Sequence, residues 1–160
     1  RDLKELGYQV GTGFMVGSPW QTMANLLEDL AFIRELQPQM IGIGPFIPHH
    51  ATPFKNYPAG TLEQTLTLLS VLRLMFPKVL LPATTALGTI VPNGRELGIL
   101  AGANVVMPNL SPADVRQNYL LYDNKLCSGA EAAEAKNDLA ARLHSIGYEI
   151  AEGRGDYKES

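Results

Sequence analysis

Cysteine is almost missing: the only one in 160 residues is Cys127. A single thiol excludes an internal disulfide framework and a self-contained cysteine-held cluster, and it fits a reducing compartment. Long apolar runs are missing too. No stretch approaches the roughly 18 residues that a membrane helix needs, and the first residues carry no signal-peptide pattern. Charge is sparse at 18% of positions, and 13 basic against 16 acidic side chains give a formal net charge of -3. No basic block could neutralise a row of phosphates, so neither nucleic acid nor membrane is an expected partner. These absences lead us to expect a cytoplasmic protein. With 46% hydrophobic residues, the chain can bury one sizeable core, and residues 1–160 are expected to form one domain.

The chain opens inside a helix. Leu3 and Leu6 share one face of Arg1 to Leu6, and Gly7 follows as a C-cap. With no initiator Met, the expectation is a fragment of a larger protein. Tyr8 to Val16 then reads as a strand packed on both faces. Ser18-Pro19 offers a helix start, and Met23, Leu26, Leu27, Leu30, Ile33 and Leu36 recur at helical spacing up to Pro38. A second strand, Met40 to Phe46, leads through a Pro- and His-rich loop to a helix at Thr61. There Thr61 and Gln64 make a capping box ahead of Leu62, Leu66, Leu69, Leu72 and Phe76.

Val79 to Thr85 is the third strand, and Asn93 caps a short helix carrying Leu97 and Leu100 that stops at Gly102. Ala103 to Met107 is the fourth, followed by a helix start at Ser111-Pro112-Ala113-Asp114. A last helix runs from about Glu131 to Ile146, and Glu149 to Ser160 is a polar surface tail. The fold class is α/β, with four consecutive βα units in residues 8–122 and a C-terminal helix and tail in 123–160. Periodicity alone leaves open whether the units belong to a closed barrel or to an open sheet. In both, the C-terminal strand ends and the loops after them form the working face.

Those ends read FMVGSP from Phe14, GPFIPH from Gly44, PATTA from Pro82 and VMPN from Val106. None contains an obvious acid-base pair. Apolar shapes broken by Gly and Pro, with Thr hydroxyls as polar contacts, suit containment of a bulky cofactor. Taken singly, Met15, Met40 and Met107 are flexible fillers, Thr84 and Thr85 are β-branched residues ending a strand, and Tyr119 and Tyr122 lie one turn apart on a helix face. His49 and His50 are loop histidines: adjacent residues point in different directions, and no Cys, Asp or Glu lies near them in sequence, so no metal site is expected. Gly11-Thr12-Gly13 is not a dinucleotide turn, because the strand continues through Phe14 to Val16. Cys127 has no neighbouring base and reads as an inert thiol.

The phrases GIGPFIPHHATPF (Gly42 to Phe54), PATTALGTIVPNGRE (Pro82 to Glu96) and GANVVMPNLSP (Gly102 to Pro112) carry a resemblance to the HydE family of FeFe-hydrogenase maturases, within the radical-SAM superfamily. LKELGY from Leu3, MVG from Met15 and RQNYLLYDNK from Arg116 add to it. The resemblance implies the C-terminal half of a (βα)8 TIM-type radical-SAM barrel. It implies a parent enzyme that uses a 4Fe-4S cluster to split S-adenosylmethionine into methionine and a 5'-deoxyadenosyl radical. That radical acts on an organometallic iron substrate on the way to the hydrogenase subcluster, and other hydrogenase maturation proteins are the implied partners. Met15, Ile47 and Pro48 fall at cofactor-contacting positions; Met40, Thr84, Thr85, Met107, Tyr119 and Tyr122 fall at substrate-cavity positions, with the two threonines at an anion-holding spot.

The family's Cys-x-x-x-Cys-x-x-Cys loop has no counterpart in this chain. No catalytic residue is therefore assigned to it, and alone it is expected to be inactive. Cys127 matches the first of three accessory-cluster cysteines, but Ala135 and Asp138 stand at the other two places, so that cluster is not expected. The alternatives are a related radical-SAM enzyme of the methylornithine synthase or biotin synthase type, or a non-catalytic small-molecule-binding or assembly module. Four units leave two sheet edges unpaired, and the chain is expected to self-associate through them.

Overall fold

A computed structural model describes residues 1–108, 112, 115, 121–124 and 132–158, with side chains of the last helix from residue 136 onward. The helix expected after Ser111, Tyr119 within it, and Cys127 lie outside the described residues. The elements are α1 (Asp2–Glu5), β1 (Gly11–Val16), α2 (Met23–Leu36), β2 (Met40–Pro45), α3 (Leu62–Met75), β3 (Pro82–Ala83), α4 (Thr85–Ile90), α5 (Gly94–Leu100), β4 (Val105–Val106) and α6 (Ala132–Ser145).

β1 and β2 pair in parallel with Gly11 opposite Met40 and Val16 opposite Pro45; β3 and β4 pair in parallel as well. A parallel bridge between Met40 and Leu80 joins the two pairs, with the Leu80 N–H donating to Gln39 O at 3.0 Å and the Ile41 N–H to Leu80 O at 2.9 Å. Strands in chain order, each reached across helical sequence, make a mixed α/β fold with short parallel strands, as a partial barrel requires.

The core lies on the helix side of this sheet. Ile41 and Ile43 of β2, Val16 of β1 and Leu81 pack with Ile33 of α2, with Leu69 and Leu72 of α3, and with Leu87 of α4. Replacing one of these leucines by Ala costs about 2–5 kcal/mol in cores of this kind. Arg73 ties the end of α3 to the next turn, its Nε donating to Gly102 O at 2.8 Å and its NH1 group to Pro77 O at 2.7 Å. Burial of that guanidinium lowers its pKa from the ordinary arginine value.

α1 and α6 end alike. Gly7 (φ 83°) and Gly147 (φ 83°) follow the last turn, and the Tyr8 and Tyr148 N–H groups reach back five residues to Leu3 O and Leu143 O, each at 3.0 Å. This is the double backbone bond that a left-handed glycine permits, as the sequence suggests at both ends. Among the described residues, no helix is long and apolar enough to cross a membrane.

Several expectations are corrected. β1 is covered on one face only: Val16 is buried and Phe14 packs on the core, but Gly11, Gly13 and Met15 are exposed. Ser18-Pro19 does not start α2. Trp20 adopts φ 63°, and the helix begins after Thr22, which forms a capping box with Asn25. At α3 only half of the expected box forms, with the Gln64 N–H donating to Thr61 Oγ1 at 3.2 Å. Asn93 caps α5 without a side-chain bond. The third strand is shorter than expected because the chain turns into α4 at Thr85. Tyr122 lies in a bend rather than on a helix face.

Candidate functional site

Register places the exposed side of the first two strands. Gly11 faces Met40, Gly13 faces Gly42 and Met15 faces Gly44, and these residues alternate with the core-facing ones. The open face is therefore nearly bare backbone between two methionines. A Cβ built on Gly42 would meet nothing within 4 Å, so space stands above it. Glycine in a strand interior forfeits side-chain packing and marks a place where a ligand or a second backbone comes close. One on Gly44, by contrast, would lie 2.6 Å from Thr84 Oγ1, so the Thr84 side chain covers that glycine.

Met15 is 58% exposed beside the end of β1, its carbonyl accepting from Gln21 Nε2 at 2.8 Å. Ile47 and Pro48 are half-buried just past the end of β2. Thr84 is the N-cap of α4, makes no side-chain capping bond, and keeps a buried Oγ1 with no partner among the described residues. Thr85 opens α4, and Tyr122 donates to its Oγ1 at 3.3 Å, which joins two predicted cavity residues from distant parts of the chain. Met107, 52% exposed, follows β4. Met40 stands apart. It starts β2, roughly 16 Å along the strand from Pro45, on the same open face but far from the strand ends.

Sequence reasoning missed three features of these ends. The first is an aromatic cluster: Trp20 meets Tyr57 at 5.3 Å and Phe54 at 5.9 Å, both edge-on, and Phe54 meets Phe46. It fastens the loop after β2 to the turn after β1. The second is a His-Asp pair. Asp123 accepts from the His50 backbone N–H at 2.9 Å and lies 2.7 Å from its Nδ1, while the Asp123 N–H donates to Pro48 O at 3.2 Å. These bonds with His50 hold the Asp123 carboxyl below the usual carboxylate range. The His49 and His50 rings stack at 4.3 Å, so the expectation that they diverge is wrong. Only the folded chain shows the pair, because Asp123 is 73 residues from His50.

The third is a buried ion pair. Glu96 of α5, 6% exposed, receives Nε and a terminal nitrogen of Arg142 from α6, and Arg142 also donates to Pro92 O. Next to it Arg95 is half-buried; burial first and the Arg142 charge second lower its pKa from the ordinary arginine value. A separate groove of about 460 Å³, lined by Lys4, Gln39, Phe76, Lys78 and Tyr157 among others, includes none of the predicted site residues.

Parallel strands, an open glycine-lined face and loops gathered at the strand ends define an α/β protein that fits a partial radical-SAM barrel. No family model matches the chain. Over 125 residues, 78% of this chain and 36% of the relative, it is 51% identical to the FeFe hydrogenase maturase subunit HydE of Thermotoga maritima. It is 33% identical over 126 residues to 3-methylornithine synthase of Methanosarcina barkeri, and 28% identical over 151 residues to that of Methanosarcina acetivorans. The resemblance to HydE is thus shown across most of this chain, which spans a little over a third of the length of these relatives.

Proposed function

We propose that the chain is the C-terminal part of a radical-SAM maturase of the HydE type, a cytoplasmic enzyme that helps to build the FeFe-hydrogenase active-site subcluster. The identity of 51% to HydE, against 33% and 28% to the methylornithine synthases, carries this reading and favours it over the related-enzyme alternative. In it, residues 8–122 complete half of a (βα)8 barrel, and the open face of β1 and β2 is the inner wall.

That wall suits an adenosyl group. Bare backbone at Gly42, with nothing within 4 Å of a Cβ built there, admits a flat ring close to the sheet, with Met15 as its soft apolar neighbour and Ile47 and Pro48 closing the strand end. S-adenosylmethionine, when bound, supplies the 5'-deoxyadenosyl radical. This chain contributes containment: Met15, Ile47 and Pro48 exclude water from the adenosyl end, and Thr84, Thr85, Tyr122 and Met107 shape the cavity beyond it. Tyr119 completes the substrate wall in this reading, whereas Met40, at the far end of β2, lies away from it. The half-buried Arg95 adds positive charge near Tyr122, as an anionic iron substrate requires. The 4Fe-4S cluster does not fit this chain, whose one cysteine cannot provide three thiolates, and no step is assigned through it.

Full-length protein with reconstituted cluster is expected to cleave S-adenosylmethionine, giving 5'-deoxyadenosine and methionine; neither above background would sink the assignment. The chain alone should not. Because β1 is paired on one edge only among the described strands, the isolated chain is expected to self-associate, and light scattering that shows a monomer at high concentration would refute this.

A further inference from the structure

We propose that His49, His50 and Asp123 bind a divalent first-row transition-metal ion, of the borderline class that includes zinc and cobalt, at the rim beyond β2. One nitrogen of each imidazole and one carboxylate oxygen lie within 4.8 Å of one another, and this is the one such group among the described residues. Tetrahedral coordination separates ligand atoms by roughly 3.3 Å. The set therefore contracts by about 1.5 Å at its widest, within reach of side-chain rotations for an exposed His50 and a half-exposed Asp123.

Two observations make the group more than an ion pair. Asp123 is held against His50 twice, at its backbone N–H and at Nδ1. An ion would replace the proton shared by Nδ1 and Oδ1 and take both atoms. The pair does not account for His49, whose ring is held parallel to that of His50 at 4.3 Å, with Nδ1 accepting the Ala51 N–H at 3.0 Å. An ion would displace that one backbone bond, and water would fill the fourth position. Nitrogen and oxygen donors without thiolate select zinc, cobalt or nickel over calcium or magnesium. The displaced backbone bond and the solvent exposure set the affinity at micromolar rather than nanomolar.

The inference is independent of the maturase reading, since it uses no radical chemistry. Its test is titration of the protein, carrying Cys127→Ser to remove the thiol, with Zn2+ by calorimetry and with Co2+ by visible absorption. One ion per chain is expected, with the absorption bands of tetrahedral or five-coordinate Co2+. His50→Ala and Asp123→Ala should each weaken binding by at least about tenfold, and His49→Ala measurably, while His144→Ala on α6 leaves it unchanged; circular dichroism confirms that each variant folds. Millimolar or weaker binding, or binding that survives the His50 and Asp123 changes, would overturn the proposal.

Discussion

Arg142→Leu is the change whose cost follows most directly from the structure. The Glu96 side chain is 8% exposed and accepts two bonds from Arg142, whose own side chain is 32% exposed. Removing the arginine leaves a carboxylate inside the protein without its hydrogen-bonded partner, with only the neighbouring Arg95 charge to offset it, and strips Pro92 O of a donor. Breaking a fully buried pair costs about 3–5 kcal/mol; partial exposure of Arg142 lets water reach the carboxylate, which brings the expectation to about 3 kcal/mol. For a domain of this size, that is roughly a 10 °C fall in Tm. Glu96→Leu with Arg142→Leu removes both charges, and the double variant should recover to within about 1 kcal/mol of the parent. The assay is urea unfolding of all four members of the cycle, followed by circular dichroism. A loss under about 1 kcal/mol for Arg142→Leu, or strictly additive costs, would show that the pair does not hold α6 to α5.

Gly60→Ala should prevent folding or cost more than about 4 kcal/mol, because the new Cβ would stand 2.0 Å from Val16 O, whereas Gly7→Ala, with nothing within 4 Å, should cost only the left-handed backbone penalty of about 1 kcal/mol; thermal melts separate the two. Thr84→Val removes a buried oxygen with no partner among the described residues and should leave stability equal or raise it by about 1 kcal/mol, while lowering substrate turnover by the full-length enzyme; lost stability with unchanged turnover would remove Thr84 from the cavity. The Asp123 carboxyl is held below its ordinary range, so the stabilisation of the His50 loop is complete above that range and lost as acid protonates the folded-state group. Carbon-13 NMR of the Asp123 carboxyl should show a depressed midpoint that Asn in place of His50 restores.

Local chemistry made much of the fold legible. Gly7, Thr61, Gly102 and Gly147 lie at the element ends where glycine geometry and hydroxyl capping require them, and α3 has its expected start and span to within a residue or two. α4 was hidden because Thr84 and Thr85 favour strand by their β-branches, and only tertiary packing of Ala86 and Leu87 turns the chain there. The Ser18-Pro19 start failed for a related reason. In the structure Thr22 takes the N-cap instead, its box with Asn25 satisfying two backbone donors, and the aromatic contacts of Trp20 hold the intervening turn open. At the site, Met15, Ile47 and the threonines gather at or beside the strand ends. The pairs His50-Asp123 and Glu96-Arg142 join residues 73 and 46 positions apart, a separation that no local pattern reports.

The one-sided cover of β1 deserves a physical explanation beyond a misread strand. Thr12, Phe14 and Val16 point to the helices, as an amphipathic strand requires, yet the opposite face carries glycine and methionine where a water-facing strand would carry charged or polar side chains. Burial on both faces was therefore a sound inference from composition, and its failure concerns only what covers the second face. A surface of bare backbone and soft apolar side chains gains free energy when a flat, partly apolar group or another layer of protein lies on it. The maturase reading supplies both, an adenosyl group against the glycines and a closed barrel around it. If Gly42→Val abolishes binding of S-adenosylmethionine by the full-length protein while its melting temperature holds, that face is the ligand wall; if binding survives a side chain filling the open space above Gly42, the adenosyl group lies elsewhere and the face serves packing alone.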